Sequence, residues 1–407
     1  MYYKLLMKEG WTRSWKSSFD PELPVFTKRQ GKLILVMEES LSRDRFIIKV
    51  NDEGRLIHTS SSFSVSEENL KTCLKEVGFF LYSHTNKYEF TGETKTFQET
   101  TVHQIRRLTD GQIGGWLEGE FNLAKEGECW VAEQAIVSGN ARVSGNAEVY
   151  GEAVVSSNAI VTGNAVVSSN AIVTGNAIVT GNAIVTGNAT VTDNATVTGI
   201  AEVSGNAQVY GGARVSGKAR VYGGARVSGK ARVYGNAHVL GHAKVFGDAE
   251  VSGNAEVYGS ARVSGNAEVN DNAKVFGDAK VSGIARVSGK AVVSGNAEVS
   301  GNAIVYGIAR VYGNAKVSGI ARVYGNARVS GNAEVSGEAH VTGDAQVRDN
   351  VIVTDKAQVF GNAEVSGNAK VRDNAQVYGD AKVTGDARVD GIAVVYNKSV
   401  ATLMPRY

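Results

Sequence analysis

Valine recurs at every sixth residue from Val131 to Val395, at forty-five consecutive positions and without one insertion. The unit reads V-x-G-N-A-x, and from Ala135 to Ala393 alanine stands two residues before each valine, except at Val351. Within each unit apolar and polar residues alternate, which is the pattern of a half-buried strand rather than of a helix. A short fixed period of this kind predicts a solenoid built from short strands.

The two remaining positions of each unit form the corner between strands. The first is usually Gly, and the second is usually Asn, Lys, Asp or Gly, all of which accept turn conformations. Where the first position holds Ser or Asp, as at Ser157 and Asp193, the second is Asn, with Asp355 and Lys356 as the exception. This compensation predicts that one residue of each pair, the glycine or the asparagine, adopts a positive φ.

Three units of strand and corner close one triangular coil of eighteen residues. The forty-five units therefore predict about fifteen coils, on the order of 70 Å long at roughly 4.8 Å between stacked strands. Each coil directs three valines and three alanines inward, and one coil alone buries too little apolar surface to be stable. Residues eighteen apart are expected to stack on the same face.

The chain divides into four parts by composition. Residues 1–96 lack the six-residue pattern and predict a small α+β domain. Residues 97–130 predict an adaptor that caps the first coil, because solenoid ends need covering. Residues 131–396 predict the solenoid, and residues 397–407 predict a C-terminal cap over the exposed edge of the last coil.

Local patterns predict several elements outside the repeats. Alternating apolar residues predict strands at Lys32–Met37, Arg45–Val50, Arg55–Ser60 and Thr101–Leu108. Ser64 and Glu67 have the spacing of a capping box, and the apolar residues that follow them at helical spacing predict a helix.

The junction into the repeats reads GGWLEGEFNLAKEGECWVAEQAIVSGNARV, residues 114–143. Over residues 97–150 it resembles bacterial and bacteriophage hexapeptide-repeat proteins of the YdcK type, in which GGW and N-L-x-x-x-G-x-C-W segments lead into V-x-G-N-A repeats. The resemblance implies an all-β fold, a single-stranded left-handed parallel β-helix, and a phage or mobile-element origin. Cys129 falls at an inward alanine position, and Trp116 and Trp130 are suited to covering the first coil.

Composition excludes several classes of function. The formal net charge is +2 with charges of both signs, which gives no argument for nucleic acid or membrane as a partner. The spacing of Cys73 and Cys129 matches neither a zinc site nor a disulfide framework. No stretch reaches the ~18 apolar residues of a membrane span. We therefore expect a cytoplasmic protein, in the host cytoplasm if phage-encoded, without membrane contact, metal, cofactor or sequence-specific nucleic acid.

An apolar girdle occupies the outward positions of the early coils. It alternates with Ser or Thr, and eighteen-residue stacking distributes it over all three faces. β-Branched residues stabilise strands even when exposed, but a contiguous apolar surface also indicates a partner. The girdle predicts an interface with another copy of the chain, another protein or the N-terminal domain, and consists of Val154, Ile160, Val166, Ile172, Ile178 and Ile184.

A basic belt follows, because no acidic residue occurs from Val203 to Gly247. Arg214 and Arg232 are eighteen apart and should stack on one face, where like charges repel unless an anion lies between them. Basic and aromatic side chains together suit phosphate or nucleotide ligands. The belt predicts a site for a small anion or nucleotide on Arg214 and Arg232, with Arg220 and Arg226 on the adjoining faces and Tyr222 and Tyr234 as stacking neighbours. A solvated surface whose charges drifted during repeat duplication is the alternative.

Enzymes are the remaining class, because hexapeptide-repeat proteins include acyltransferases and γ-class carbonic anhydrases. Acyltransferases of this kind usually place a histidine near a loop that leaves a coil, and this array has no loop insertion. His238 and His340 stand on the order of 27 Å apart by stacking, and only His238 and His242 are close, too few ligands for zinc. No Ser-His-Asp grouping, phosphate loop or pair of catalytic carboxylates stands out.

Three functions follow, in order of preference. The first is a scaffold or binding protein that acts through protein assembly, and the second is a binder of small anionic or nucleotide ligands. An acyltransferase-like or carbonic-anhydrase-like enzyme comes third, so the sequence predicts that the chain is not an enzyme.

Overall fold

The structure is a computed structural model that describes residues 86–397 together with the backbone of seven strands outside that range. Those seven strands are Thr12–Ser14, Val25–Gln30, Leu33–Glu39, Arg45–Asp52, Arg55–Thr59, Phe63–Ser64 and Val400–Ala401. The chain divides into two compact units, one of residues 1–89 and 107–112, the other of residues 90–106 and 113–407.

The first unit contains an antiparallel sheet. Its strands pair in chain order from Thr12–Ser14 to Arg55–Thr59, and Phe63–Ser64 also pairs with Arg45–Asp52. The three strands predicted before residue 61 are confirmed, with bounds that differ by one or two residues. The helix predicted after Ser64 lies outside the described residues.

The second unit is a parallel β-solenoid with three sheets, named here face 1, face 2 and face 3. Face 1 consists of Trp130–Val131, Glu148–Val149, Val166–Val167, Ile184–Val185, Glu202–Val203, Arg220–Val221, His238–Val239, Glu256–Val257, Lys274–Val275, Val292–Val293, Arg310–Val311, Arg328–Val329, Gln346–Val347, Glu364–Val365, Lys382–Val383 and Val400–Ala401. Face 2 consists of Ile136–Val137, Val154–Val155, Ile172–Val173, Thr190–Val191, Gln208–Val209, Arg226–Val227, Lys244–Val245, Arg262–Val263, Lys280–Val281, Glu298–Val299, Lys316–Val317, Glu334–Val335, Ile352–Val353, Lys370–Val371 and Arg388–Val389. Face 3 consists of Arg142–Val143, Ile160–Val161, Ile178–Val179, Thr196–Val197, Arg214–Val215, Arg232–Val233, Glu250–Val251, Glu268–Val269, Arg286–Val287, Ile304–Val305, Arg322–Val323, His340–Val341, Gln358–Val359, Gln376–Tyr378 and Val394–Tyr396.

The alternation within each unit explains this architecture. Every valine from Val131 to Val383, and every residue at the alanine position from Ala135 to Ala387, has 0% of its surface exposed. Val395 is half-exposed, at the end of the array. The intervening residue of each strand points outward, so residues eighteen apart form ladders on the faces. The predicted solenoid with inward valines is confirmed.

Backbone hydrogen bonds join each coil to the next at the strands and at the corners. In a representative unit the N–H of Arg214 donates to the carbonyl of Ala231 at 2.9 Å, and the N–H of Ser216 donates to that of Val233 at 2.9 Å. The corner contributes a third bond, from Lys218 N–H to a carbonyl one coil further on at 2.7 Å. Because the corner residues also bond to the next coil, few backbone N–H and C=O groups are left unpaired within the array.

The corner prediction is wrong in one respect. The first corner residue adopts the positive φ whether or not it is glycine, with values of 60° at Ser157 and 58° at Asp193. The asparagine that follows has no positive φ and instead joins coils through its side chain. Asn158, which follows Ser157, donates through Nδ2 to Asn176 Oδ1 at 3.0 Å, and Asn176 Nδ2 donates at 3.0 Å to Oδ1 of Asn194, which follows Asp193. The asparagines therefore form side-chain ladders instead of relieving backbone strain.

The solenoid begins before Val131. The strand Ile113–Leu117 runs parallel to Ile136–Val137 and antiparallel to Thr100–Arg107, which itself confirms the strand predicted there. Leu117 and Leu123 are buried at 0% and 1%, in the place that valine holds later. Leu123 forms a parallel bridge to Val143. An extra coil, spaced differently from the repeats, therefore precedes the array.

The first coil contains a 3₁₀ helix at Glu120–Asn122, and Tyr88–Phe97 is the remaining strand before the solenoid. Asn122 is fully buried, and its side chain accepts from Gly119 N–H at 2.9 Å. It also donates to the carbonyls of Gly139 and Ala141 at 3.0 and 2.9 Å.

Among the described residues, no helix is both long enough and apolar enough to cross a membrane.

Candidate functional site

Arg214 and Arg232 are direct register neighbours on face 3, as their spacing predicts. Together with Ser216 and Tyr234 they line an open depression of about 290 Å³. Two guanidinium groups beside a hydroxyl and a phenol form a surface on which a small anion can accept several hydrogen bonds. The depression is shallow, so an anion there stays partly hydrated.

A carboxylate already contacts two of the four lining residues. Glu250, the next residue in the face 3 ladder, lies 3.4 Å from Arg232, and Tyr234 donates its phenol proton to the same carboxylate at 3.1 Å. Arg214 has no ion pair of this kind among the described residues. The net positive charge of the depression is therefore smaller than the acid-free stretch of sequence suggests.

The other residues predicted for the anion site lie on other faces. Arg220 is on face 1, where it lies 3.7 Å from Glu202. Tyr222 contacts the edge of the His238 ring, with ring centroids 6.4 Å apart. Arg226 is on face 2, in register with Lys244. Arg220 and Arg226 thus lie on the faces that adjoin the face of Arg214 and Arg232, as their spacing predicts, and anion binding stays a prediction.

The structure reveals a cationic ladder that the acid-free stretch only partly contains. Four outward residues of face 2 follow one another in register, and all four are basic: Arg226, Lys244, Arg262 and Lys280. The ladder extends beyond Gly247, where the acid-free sequence ends. Tracing every eighteenth residue, instead of a continuous stretch, could have found it.

Several cations on the faces, including Lys280 of the ladder, pair with carboxylates of neighbouring coils. Six such pairs, with N–O distances of 2.7–3.8 Å, join residues eighteen apart on the strands of the described solenoid. They are Arg220–Glu202, Arg232–Glu250, Lys274–Glu256, Lys280–Glu298, Arg286–Glu268 and Lys382–Glu364. Pairing across coils is thus a recurring arrangement of charges on this solenoid.

The apolar girdle lies on all three faces, two residues to each. The register pairs are Val154 with Ile172, Ile160 with Ile178, and Val166 with Ile184. The four isoleucines are 36–41% exposed, so the girdle is a real apolar surface of the solenoid. Its role as an interface stays a prediction.

The histidines of the solenoid are dispersed. His238 is on face 1 and His340 on face 3, in register with Arg322. Burial, with the nearby Arg322 charge, lowers the pKa of His340 below its usual value and so favours the neutral imidazole. No cluster of three His, Cys, Asp or Glu side chains able to hold a metal occurs among the residues described.

The fold and these ladders define a parallel β-solenoid protein with long, regular outward surfaces. The chain matches the YdcK beta solenoid repeat at residues 207–223 and 321–337. It is also 31% identical over 80 residues to a protein of Escherichia coli (strain K12) named "Uncharacterized acetyltransferase YdcK". That similarity covers 14% of this chain and 24% of the relative, so about a quarter of the relative's length is matched. The resemblance to YdcK-type repeat proteins is confirmed.

The name of this relative contradicts the prediction that the chain is not an enzyme. That prediction depended on the missing loop insertions and on the lack of a catalytic grouping along one chain. Neither observation reports on a site assembled between copies of a chain, because the sequence of one copy does not show which faces meet.

Proposed function

We propose that this protein is a β-solenoid scaffold that assembles with further copies of itself through the apolar girdle. The observation that carries the proposal is the placement of the six girdle residues, which pair in register on every face. A flat ligand covers one face, whereas several copies arranged around a common axis cover more of the girdle. Burying isoleucines that are about two-fifths exposed favours association through the hydrophobic effect.

Light scattering of purified protein over a range of concentrations tests assembly. Wild type is expected to be oligomeric, and Ile172→Lys/Ile178→Lys is expected to shift it towards monomer, because two buried unpaired charges oppose association. The matched control is Ile352→Lys/Ile304→Lys, which makes the same changes on the same two faces outside the girdle. A monomeric wild type, or equal dissociation by the control, would mean that the girdle residues stabilise the strands and do not form an interface.

Acetyl transfer is the second candidate, favoured by the name of the Escherichia coli relative. We assign His340 as the base, because burial and the Arg322 charge lower its pKa and so favour the neutral imidazole, the form that can accept a proton. Its ring also meets Tyr324 edge-on, with centroids 6.3 Å apart. Acetyl-coenzyme A turnover with a panel of amine and alcohol acceptors tests this, with His340→Asn beside His238→Asn. Activity that is lost in both variants, or in neither, excludes His340 as the base.

A phage or mobile-element origin and a cytoplasmic location stay predictions, since the relative is a bacterial protein and the described residues bear on neither.

A further inference from the structure

Face 2 carries four cations in consecutive coils, and this ladder is the longest run of like charge on the faces described. Arg226 is in register with Lys244, Lys244 with Arg262, and Arg262 with Lys280. At roughly 4.8 Å between strands, the four charges span about 14 Å along the solenoid axis. Neighbouring cations are closer than the Debye length of ~8 Å, so the ladder acts on an anion as one unit.

The solenoid leaves this ladder almost without counter-charge. Lys280 pairs with Glu298 at 2.7 Å at one end, and Gln208 precedes Arg226 at the other. Among the described residues, Arg226, Lys244 and Arg262 have no carboxylate within 4.0 Å. Like charges directly opposite one another in a sheet are destabilising. At six places on these sheets a cation pairs with a carboxylate of the neighbouring coil, and an external anion would supply such a partner to Arg226, Lys244 and Arg262.

The side chains beside the ladder indicate the kind of anion. The residues that follow the four strands are Ser228, Phe246, Ser264 and Ser282, and the three serines are half-exposed. Single-stranded nucleic acid binds through bases stacked on aromatic side chains. Phe246 is the one aromatic residue among these four positions, so successive bases would find too few rings to stack on. Hydroxyl groups in a row beside cations instead match a polymer that carries hydroxyls and regularly spaced acids. Asp248 and Asp278 stand at the corners rather than on the ladder.

We propose that face 2 binds a linear acidic polysaccharide lying along the solenoid axis, with its carboxylate or sulfate groups on Arg226, Lys244, Arg262 and Lys280. Such a polymer presents one acidic group for each sugar ring, a repeat close to the spacing of stacked strands. Its ring hydroxyls then face Ser228, Ser264 and Ser282. The proposal is independent of assembly through the girdle, whose six residues lie in earlier coils.

The test uses the full chain and an oligogalacturonate long enough to span the four cations, with the matching neutral maltooligosaccharide and the galacturonate monomer beside it. Lys244→Gln/Arg262→Gln removes the centre of the ladder. The control Arg310→Gln/Arg328→Gln removes two register neighbours of the same charge from face 1. The ladder variant is expected to weaken oligogalacturonate binding about 5- to 30-fold, since exposed ion contacts contribute up to ~1 kcal/mol each. The control is expected to stay within about twofold, and melting curves of both variants report their folding.

Two further comparisons keep the test independent of the variants. Wild-type affinity is expected to fall steeply with added salt and to require the oligomer, because several weak contacts act together. No binding at low salt, binding of the monomer as tight as of the oligomer, or equal losses in both variants overturns the proposal. Tighter binding of an oligothymidylate of equal charge also overturns it and assigns the ladder to nucleic acid.

Discussion

The carboxylate of Asp193 accepts a hydrogen bond from the backbone N–H of Gly211, one coil further on, at 3.0 Å. Asp193 has a φ of 58°, a conformation that L-residues other than Asn and Asp rarely adopt. The other aspartates at this corner position make the same bond to the N–H eighteen residues on, at 2.8–3.2 Å: Asp271, Asp349, Asp355 and Asp373. The hydrogen bond therefore offsets the strain where glycine is replaced.

Asp193→Ala is expected to destabilise its coil by about 1–2 kcal/mol, because the strained φ remains while the hydrogen bond is lost. Asp193→Gly loses the same bond but removes the strain, so it should lie within ~0.5 kcal/mol of wild type. Hydrogen exchange of the Gly211 amide and thermal melting measure both. Equal stability of the Asp193→Ala and Asp193→Gly variants would mean that the positive φ at this corner carries no strain.

Periodicity explains why so much of the solenoid could be predicted. Each inward valine repeats the same local environment, so one unit predicts the strand in every other unit. The eighteen-residue coil then gives the face and the register of each strand. The corners were harder, because positive φ at Ser157 is decided by the position in the coil and not by residue preference. The first coil was also missed as a coil, since Leu117 and Leu123 stand outside the spacing that leads to Val131.

For the candidate site, the stacking of Arg214 on Arg232 and the separate faces of Arg220 and Arg226 follow from the period, whereas the cationic ladder of face 2 was not predicted. Charges that are close in sequence, such as Arg220 and Arg226, lie on different faces, whereas Arg262 lies above Lys244 although eighteen residues separate them. An acid-free stretch also says nothing about the coils at its ends, where Glu202 and Glu250 supply the missing carboxylates.

Val263→Asp is expected to unfold or fragment the solenoid near its middle. Val263 is fully buried on face 2, and an unpaired charge there costs several kcal/mol. Neighbouring coils depend on this one for their interfaces, so the loss spreads. Arg262→Asp is the control, because it places the same carboxylate on the outward side of the same strand. Melting and limited proteolysis should separate the two variants, and an unchanged profile for Val263→Asp contradicts the inward packing.

Asp390 accepts two hydrogen bonds from the guanidinium group of Arg372, both at 2.8 Å. These bonds hold the pKa of Asp390 below its usual value. A carboxylate with a lower pKa in the folded state binds fewer protons there. Its contribution is therefore complete above the unfolded pKa and is lost as the pH falls through the folded pKa.

A double-mutant cycle with Asp390→Asn and Arg372→Gln checks this linkage. The coupling between the two residues is expected to be favourable at neutral pH and to vanish in acid, once Asp390 is protonated in both states. The effect should be small and should weaken with salt, because Arg372 is exposed and Asp390 is half-exposed. Coupling that persists unchanged at acid pH would mean that the charge of Asp390 is not its source.

Asn122→Ala is expected to loosen the first coil. The buried amide satisfies the N–H of Gly119 and the carbonyls of Gly139 and Ala141, and alanine leaves all three without that partner. Each unsatisfied buried polar group costs about 1–3 kcal/mol, so a loss of about 2–4 kcal/mol follows once water enters the coil and replaces part of the bonding. Faster hydrogen exchange of the Ala124 amide, which bonds to Val143 at 2.9 Å, reports the loosening.

Asn140→Ala is the matched control, because Asn140 is exposed and joins only the asparagine ladder through Asn158, so its effect should stay within ~0.5 kcal/mol. Equal exchange in the two variants would show that the buried amide does not hold the start of the solenoid.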